Sequence, residues 1–244
     1  MGVAPLKGFY GRHALIIGGT GGIGKALAYE LAQKGAAITV QGGSSQQRLD
    51  TTLSLLRSTG AVAQGFLSPI TSSSTVQQVL ACSAHPDILV CAWGPFKRGA
   101  LETMSASDWH DLVWANLIFP GMLISTVLPE MVKRHWGRIL LFGGTKTDTI
   151  RGFTTSAVYS AAKTALSVLA KSVVQQSAKD GICCNVICPG LTDTEYTDTE
   201  ALRYNRSHGL PPLNPKDIAR VALTVLENPH INGAIIPVDQ GLVL

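Results

Sequence analysis

Tyr159 and Lys163 stand four positions apart in Ala157-Val158-Tyr159-Ser160-Ala161-Ala162-Lys163, a spacing that puts both side chains on one face of a helix. A fixed ammonium beside a phenol favours the phenolate and lowers a pKa that starts near ~10, so the hydroxyl can give or take a proton nearer neutral pH. The bland alternative is a half-buried tyrosine beside a lysine whose stem packs and whose head stays wet. Spacing alone does not separate the two.

A second constellation is Leu15-Ile16-Ile17-Gly18-Gly19-Thr20-Gly21-Gly22-Ile23-Gly24, where an apolar run ends in glycines and a helical pattern begins. Gly18, Gly22 and Gly24 are the informative positions. Without side chains they permit a tight turn and let backbone approach a pyrophosphate closely. The helix start, with Thr20, Gly21 and Ile23, supplies free N–H groups and partial positive charge. A glycine-rich turn is more often only a turn, so the reading depends on what surrounds it.

Short β-rich runs fall at Ala14–Ile17, Ala37–Gln41, Ala61–Leu67, Ile88–Ala92, Arg138–Phe142, Ile182–Cys188 and Ala234–Val238. Between them lie helical patterns: Ile23, Leu27 and Leu31 on one face, then roughly Gln46–Ser58, Thr75–Cys82, Ser107–Val132, Ala157–Lys179 and Pro215–Asn228. Regular alternation predicts an α/β fold, a doubly wound, Rossmann-like parallel sheet with helices on both faces, built as one domain over residues 1–244. The glycine loop then follows the first strand, which is the context a dinucleotide site requires. The one long irregular stretch, Leu191 to Asn214, is expected to be a substrate-binding lid, with Tyr196, Tyr204 and Arg206 as residues that could face a ligand.

Composition narrows the class. Hydrophobic residues make up 45% and charged residues 15%, too apolar for a disordered chain. The net charge of +4 is scattered, with no basic run longer than Lys133-Arg134-His135, which argues against nucleic acid and suits a phosphorylated cofactor. Cys82, Cys91, Cys183, Cys184 and Cys188 lack the paired spacing of a zinc site and are expected to be buried thiols in a reducing compartment, with no metal bound. Met1 to Lys7 shows no signal segment, Leu6 sits where a myristoylation site wants Ser or Thr, and no apolar run is expected to reach the ~18 residues of a membrane span. A soluble, cytoplasmic protein without membrane or nucleic-acid partners is the expectation.

Gly18-x-x-x-Gly22-Ile23-Gly24, Tyr159-x-x-x-Lys163 and Pro189-Gly190, in this order, resemble the classical short-chain dehydrogenase/reductase family, 3-oxoacyl-(acyl-carrier-protein) reductase-like members among them. The likeness runs through Trp109–Asn116, Arg138–Phe142, Pro189–Thr194 and Gly233–Gly241. It implies that Tyr159 is the general acid or base, that Lys163 holds the nicotinamide ribose and lowers the tyrosine's pKa, and that Asn116 completes a proton relay through water. It further implies that Ala92 and Gly94 border the cofactor, that Pro189, Gly190, Thr192 and Thr194 approach the nicotinamide carboxamide, and that the protein is a homodimer or homotetramer.

The chain departs from the family in three places. Where the catalytic serine normally follows the fifth strand stands Phe142-Gly143-Gly144-Thr145-Lys146, and Thr145 is expected to supply the missing hydroxyl. Cys91-Ala92-Trp93-Gly94 replaces Asn-Asn-Ala-Gly, so packing is expected to replace hydrogen bonds there, with Trp93 filling core or lying beside the cofactor. After the second strand, Val40-Gln41-Gly42-Gly43-Ser44-Ser45 has no acid to bind ribose hydroxyls, which favours NADP over NAD, with Ser44, Ser45 and Arg48 on the 2′-phosphate. The expected activity is hydride transfer between NADP(H) and a carbonyl or secondary alcohol, with a 3-oxoacyl thioester as first guess for the substrate. The rival reading is a catalytically impaired dinucleotide-binding sensor or scaffold, motivated by the missing serine and asparagines. A nucleic-acid module has only the mild positive charge behind it.

Overall fold

The computed structural model describes residues 8–70, 72, 74–83, 85–197, 199–207, 209 and 211–241, without the side chains of residues 200, 201, 204 and 205. The reading of Met1 to Lys7 and the side chain of Tyr204 lie outside the described residues.

Seven strands form one parallel sheet: β1 (His13–Ile17), β2 (Ala37–Gly42), β3 (Ala63–Leu67), β4 (Ile88–Cys91), β5 (Gly137–Phe142), β6 (Ile182–Pro189) and β7 (Ile235–Val238), in the order β3-β2-β1-β4-β5-β6-β7. The helices are α1 (Gly22–Gln33), α2 (Gln46–Arg57), α3 (Ser74–Ala81), α4 (Ala106–Val113), α5 (Phe119–Lys133), α6 (Ala157–Ser177), α7 (Thr199–Ser207) and α8 (Pro215–Glu227). Alternation along each strand divides the interior in two. Ala14 and Ile16 join a core closed by Leu27, Leu31, Leu49 and Ile218, while Leu15 and Ile17 join one closed by Val76, Phe119, Leu123 and Leu166. Thus α1, α2 and α8 cover one face and α3, α5 and α6 the other, which is why the strands read as continuous apolar runs. β5 is buried at every position, and a fully buried Leu or Phe on such a strand contributes about 1.5–3 kcal/mol.

The predicted strands and helices agree with the observed ones to within two residues at either end, and two expectations need correction. Residues 191–214 are not irregular throughout, because α7 forms inside them. The claim that no apolar run approaches a membrane span also fails. The continuous helical stretch Ala106–Lys133 is long and apolar enough by length and composition. Its Leu112, Phe119, Leu123, Val127 and Met131 are buried, four of them in the sheet's second core. In its middle, Trp114–Ile118 winds as a π-turn, a local widening often found at functional sites. Ser105 and Asp108 close a reciprocal capping box at its start.

The sheet order reverses direction of progression between β1 and β4, so the loops after these strands diverge and leave a crevice at the carboxyl edge. Gly18–Gly24, Cys91–Gly94, Phe142–Thr145 and Pro189–Thr194 all leave strands at that edge.

Candidate active site

The glycine loop takes the shape its sequence permits. Gly18 and Gly22 have φ of 74° and 47°, in the left-handed region that favours glycine. A Cβ on Gly18 would come within 2.6 Å of Trp93 Cβ, and one on Gly24 would run into Gly18 O and approach Ala92. Trp93 therefore braces the loop while packing on the second core. Thr20 is buried under the turn, close to Gly42. Ile23 packs into the first core.

Gln41 holds this loop in place, a role not foreseen from the sequence. Its Oε1 accepts from Gly18 N–H at 3.0 Å, and its Nε2 donates to Ser68 O at 2.6 Å and Gly42 O at 2.8 Å. Only 2% exposed, it satisfies three backbone groups at the ends of β1, β2 and β3. A polar residue closing the apolar strand Ile38-Thr39-Val40 was the available signal. Gln41 thus ties the ends of β1, β2 and β3 together by hydrogen bonds.

The loop fits an oxyanion. Gly22 N–H donates to Glu195 Oε2 at 3.2 Å, so a carboxylate already stands at the start of α1 as a stand-in for a phosphate group. At the expected 2′-phosphate end, Ser44 is exposed. Ser45 is taken up as the N-cap of α2, its Oγ accepting from Arg48 N–H at 3.3 Å. Arg48 donates to Tyr196 Oη at 2.7 Å with its guanidinium 5.0 Å from that ring. Of the three proposed phosphate ligands, Ser45 is committed to the helix and Arg48 to Tyr196.

Tyr159, Lys163 and Asn116 come together at the ends of β4 and β5. A Cβ on Gly94 would run into Asn116 Oδ1 and lie 3.0 Å from Lys163 Nζ, so the bare glycine makes room for both. Asn116, buried in the π-turn, donates to Leu112 O at 2.9 Å and Pro95 O at 3.0 Å, while its Oδ1 has no partner. Lys163 donates to Phe142 O at 2.9 Å and lies 5.8 Å from the Tyr159 ring centroid. The Phe96 ring meets Tyr159 edge-on, centroids 5.0 Å apart.

Two features of this centre bear on the expected roles. Thr145 Oγ1 donates to Pro189 O at 3.1 Å. The residue facing Tyr159 is Gly144, where a Cβ would lie 2.9 Å from the phenol oxygen. Nearby Thr147 is buried, accepting from Gly144 N–H at 2.8 Å and donating to Gly144 O, so it locks the turn. The electrostatics also differ from the simple Tyr–Lys picture. Burial, and then Cys188, pushes the phenol above its ordinary value, although the tyrosine keeps some exposed surface. Burial pulls the Lys163 ammonium down to about 8, against opposing effects of Cys91 and Cys188. Those thiols stay protonated, held by burial at about 12 and about 11. Loss of water is the main cause of the shift in both groups.

After β6, Gly190 N–H donates to Val238 O at 2.9 Å, and Thr192 Oγ1, buried, donates to Gly190 O at 3.0 Å. Thr192 is therefore committed to the turn. Thr194 packs its methyl against Gly22 and pairs its hydroxyl with Thr197 Oγ1 at 2.8 Å. Arg206 reaches Asp193 at 3.4 Å. Of the cysteines, Cys91, Cys183, Cys184 and Cys188 are buried free thiols, whereas Cys82 is exposed, contrary to expectation, because it follows the last turn of surface helix α3.

The sequence profile of the short chain dehydrogenase family matches residues 12–205. This chain belongs to the short-chain dehydrogenase/reductase family. It is 29% identical over 246 residues to a 2-dehydro-3-deoxy-D-gluconate 5-dehydrogenase of Formosa agariphila, covering 95% of this chain and 92% of the relative. It is 31% identical over 195 residues to the 3-oxoacyl-(acyl-carrier-protein) reductase of Escherichia coli, covering 78% and 77%. Among solved structures, a 3-oxoacyl-(acyl-carrier-protein) reductase from Agrobacterium tumefaciens with NADP bound superposes with a TM-score of 0.86 at 26% identity, covering 99% of this chain and 98% of that one. The protein is an oxidoreductase of this family acting on CH–OH or C=O groups, with a Rossmann-like α/β fold.

Proposed function

We propose that this protein is an NADP(H)-dependent reductase in which Tyr159 gives its proton to the oxygen of a substrate carbonyl. The observation that carries this reading is the setting of that phenol, against Gly144, under the edge of Phe96 and beside Lys163, at the crevice that the glycine loop borders. The phenol is raised above its ordinary value by burial and is therefore protonated at neutral pH, the form that reduction requires. Bound NADPH supplies the hydride to the carbonyl carbon. Gly18, Gly22 and Gly24 would cradle its pyrophosphate, with Thr20, Gly21, Ile23, Ala92 and Gly94 along its path, and Lys163 would reach its ribose. Pro189, Gly190 and Thr194 border the nicotinamide end.

Tyr159 both orients the substrate oxygen and protonates the nascent alkoxide, without a serine hydroxyl beside it. The unpartnered Oδ1 of Asn116, next to Lys163 across Gly94, can accept from a water, and that water would return a proton through Lys163 to the tyrosine. Preference for NADP is supported by the absence of an acid after β2 and by the NADP-bound relative, with Ser44 and a released Arg48 left to meet the 2′-phosphate. A 3-oxoacyl thioester and a sugar acid are the substrate classes suggested by relatives' names.

We read the chain as one cytoplasmic domain with residues 191–214 covering the substrate side. We also read it as a homodimer or homotetramer. Exposed Trp109, Ile118 and Val168 on the α4 to α5 stretch and α6 support association through those helices. The decisive experiment is Tyr159→Phe, assayed by NADPH oxidation with ketone substrates and by NADPH fluorescence titration. Loss of turnover by about a hundredfold or more with affinity nearly intact is expected. Normal kcat in the variant would overturn the assignment.

A further inference from the structure

Helix α1 carries no anion of its own at its start. Its N-cap, Gly21, has no side chain to accept the first N–H groups, and its first turn contains no acid. The partner comes from 173 residues away: Glu195 Oε2 accepts from Gly22 N–H, and its other oxygen lies over Gly21. The next residue, Tyr196, lies over Gly21 as well and holds Arg48 through a 2.7 Å hydrogen bond and a cation–π contact.

We propose that Glu195 and Tyr196 form a strap across the dinucleotide cleft, the carboxylate standing in for the cofactor's pyrophosphate and the tyrosine occupying Arg48, and that cofactor binding displaces both. This inference rests on the reading of Gly18–Gly24 as the dinucleotide site and adds a regulatory layer to it. The strap is shaped at its base. Thr197 Oγ1 donates to Thr192 O at 2.6 Å and accepts from Thr194 N–H at 3.2 Å, and Thr197 N–H closes a turn onto Thr194 O at 3.0 Å. That turn sets Glu195 over the loop before any ligand arrives. A carboxylate and a pyrophosphate cannot share one helix N-terminus, since both need the same N–H groups and repel each other. The strap therefore lowers apparent cofactor affinity. Release of Tyr196 frees Arg48 at the moment a 2′-phosphate would need it.

The test compares wild type with Glu195→Gln, which keeps shape and removes charge, and with Tyr196→Phe, which keeps the ring and removes the hydrogen bond that holds Arg48. NADPH and NADH are titrated by fluorescence, and melting is followed with inorganic pyrophosphate as a second probe. Glu195→Gln is expected to bind NADPH about tenfold more tightly, as loss of a competing charged hydrogen bond implies. Tyr196→Phe should shift affinity the same way by a smaller factor. Pyrophosphate should raise the melting temperature of Glu195→Gln more than that of wild type. Unchanged or weaker NADPH binding in both variants overturns the strap while leaving the dinucleotide reading intact. If neither nucleotide binds any of the three proteins, the dinucleotide reading falls, and the pyrophosphate comparison alone decides whether Glu195 guards an anion site. Equal melting shifts there would refute it.

Discussion

Lys163→Met separates what this lysine does for stability from what it does for chemistry. The ammonium is 5% exposed and donates to Phe142 O, with the Tyr159 ring and thiols nearby rather than a carboxylate. Its fall from an ordinary 10.5 to about 8 means that the folded protein disfavours the charged form by about 3 kcal/mol. Between these two values the unfolded chain keeps the proton and the folded chain does not. Stability from this group therefore rises with pH through that window, is fully present above 10.5, and is lost as pH falls through about 8. Methionine has similar length and no proton. At pH 7 the lysine's burial cost is partly offset by its bond to the Phe142 carbonyl, worth about 1.5–3 kcal/mol, so the variant should match or slightly exceed wild type. By pH 10.5 wild type should gain about 3 kcal/mol on the variant, roughly 6–12 °C in Tm for a domain of this size. The assay is thermal or urea unfolding of both cofactor-free proteins across pH 7–10.5. Cys91 and Cys188 interact with the ammonium, so their titration belongs to the same coupled change. A stability difference flat with pH, or one moving the other way, would refute a depressed Lys163 and the account of a dry centre dominated by burial.

Two other substitutions test neighbouring parts of the argument. Thr145→Val should cost about 1 kcal/mol in unfolding for the lost bond to Pro189 O and leave kcat within about threefold; a hundredfold fall in kcat would return the substrate-holding hydroxyl to Thr145. Gln41→Leu leaves Gly18 N–H and Ser68 O without their partner and should cost about 2–4 kcal/mol, with NADPH bound about tenfold more weakly as the loop loosens. Melting and fluorescence titration check both effects, and an unchanged Kd would show that Gln41 does not position the loop.

The fold was legible because its signals are local. Strands such as Ala14–Ile17 and Ile139–Phe142 are continuous apolar runs, and their alternate residues fill two opposite cores. Helices between them betray themselves by period, as Ile23, Leu27 and Leu31 do in α1. Two elements broke this rule for identifiable reasons. α7 is short and mostly polar in sequence, with Leu202 between Glu200 and Arg203, so its apolar signal is weak. The stretch Ala106–Lys133 mixes core positions such as Leu112 and Phe119 with exposed Trp109 and Ile118, so the length of its uncharged run was easy to underestimate.

Within the site, residue types could be read but committed partners could not. Tyr159 and Lys163 share one helix, so their spacing alone places them together. Thr145 has the right chemistry one residue from the right place. Which of Gly144 and Thr145 faces the phenol depends on how the strand end turns, and that turn is fixed by Thr147 and Pro189. Lys163 is expected to tune the tyrosine because charge is visible in a sequence, whereas the desolvation that raises the phenol and lowers the ammonium arises only after the chain has folded around both residues. The same holds for Glu195, whose contact with Gly22 spans most of the chain. Glycines at 94, 144 and 21 mark three places where another group, Asn116, Tyr159 and Glu195 respectively, occupies the volume of a missing side chain. A glycine in the sequence says that room has been left; the group that fills it comes from a distant element, and in this protein those groups make up much of the chemistry.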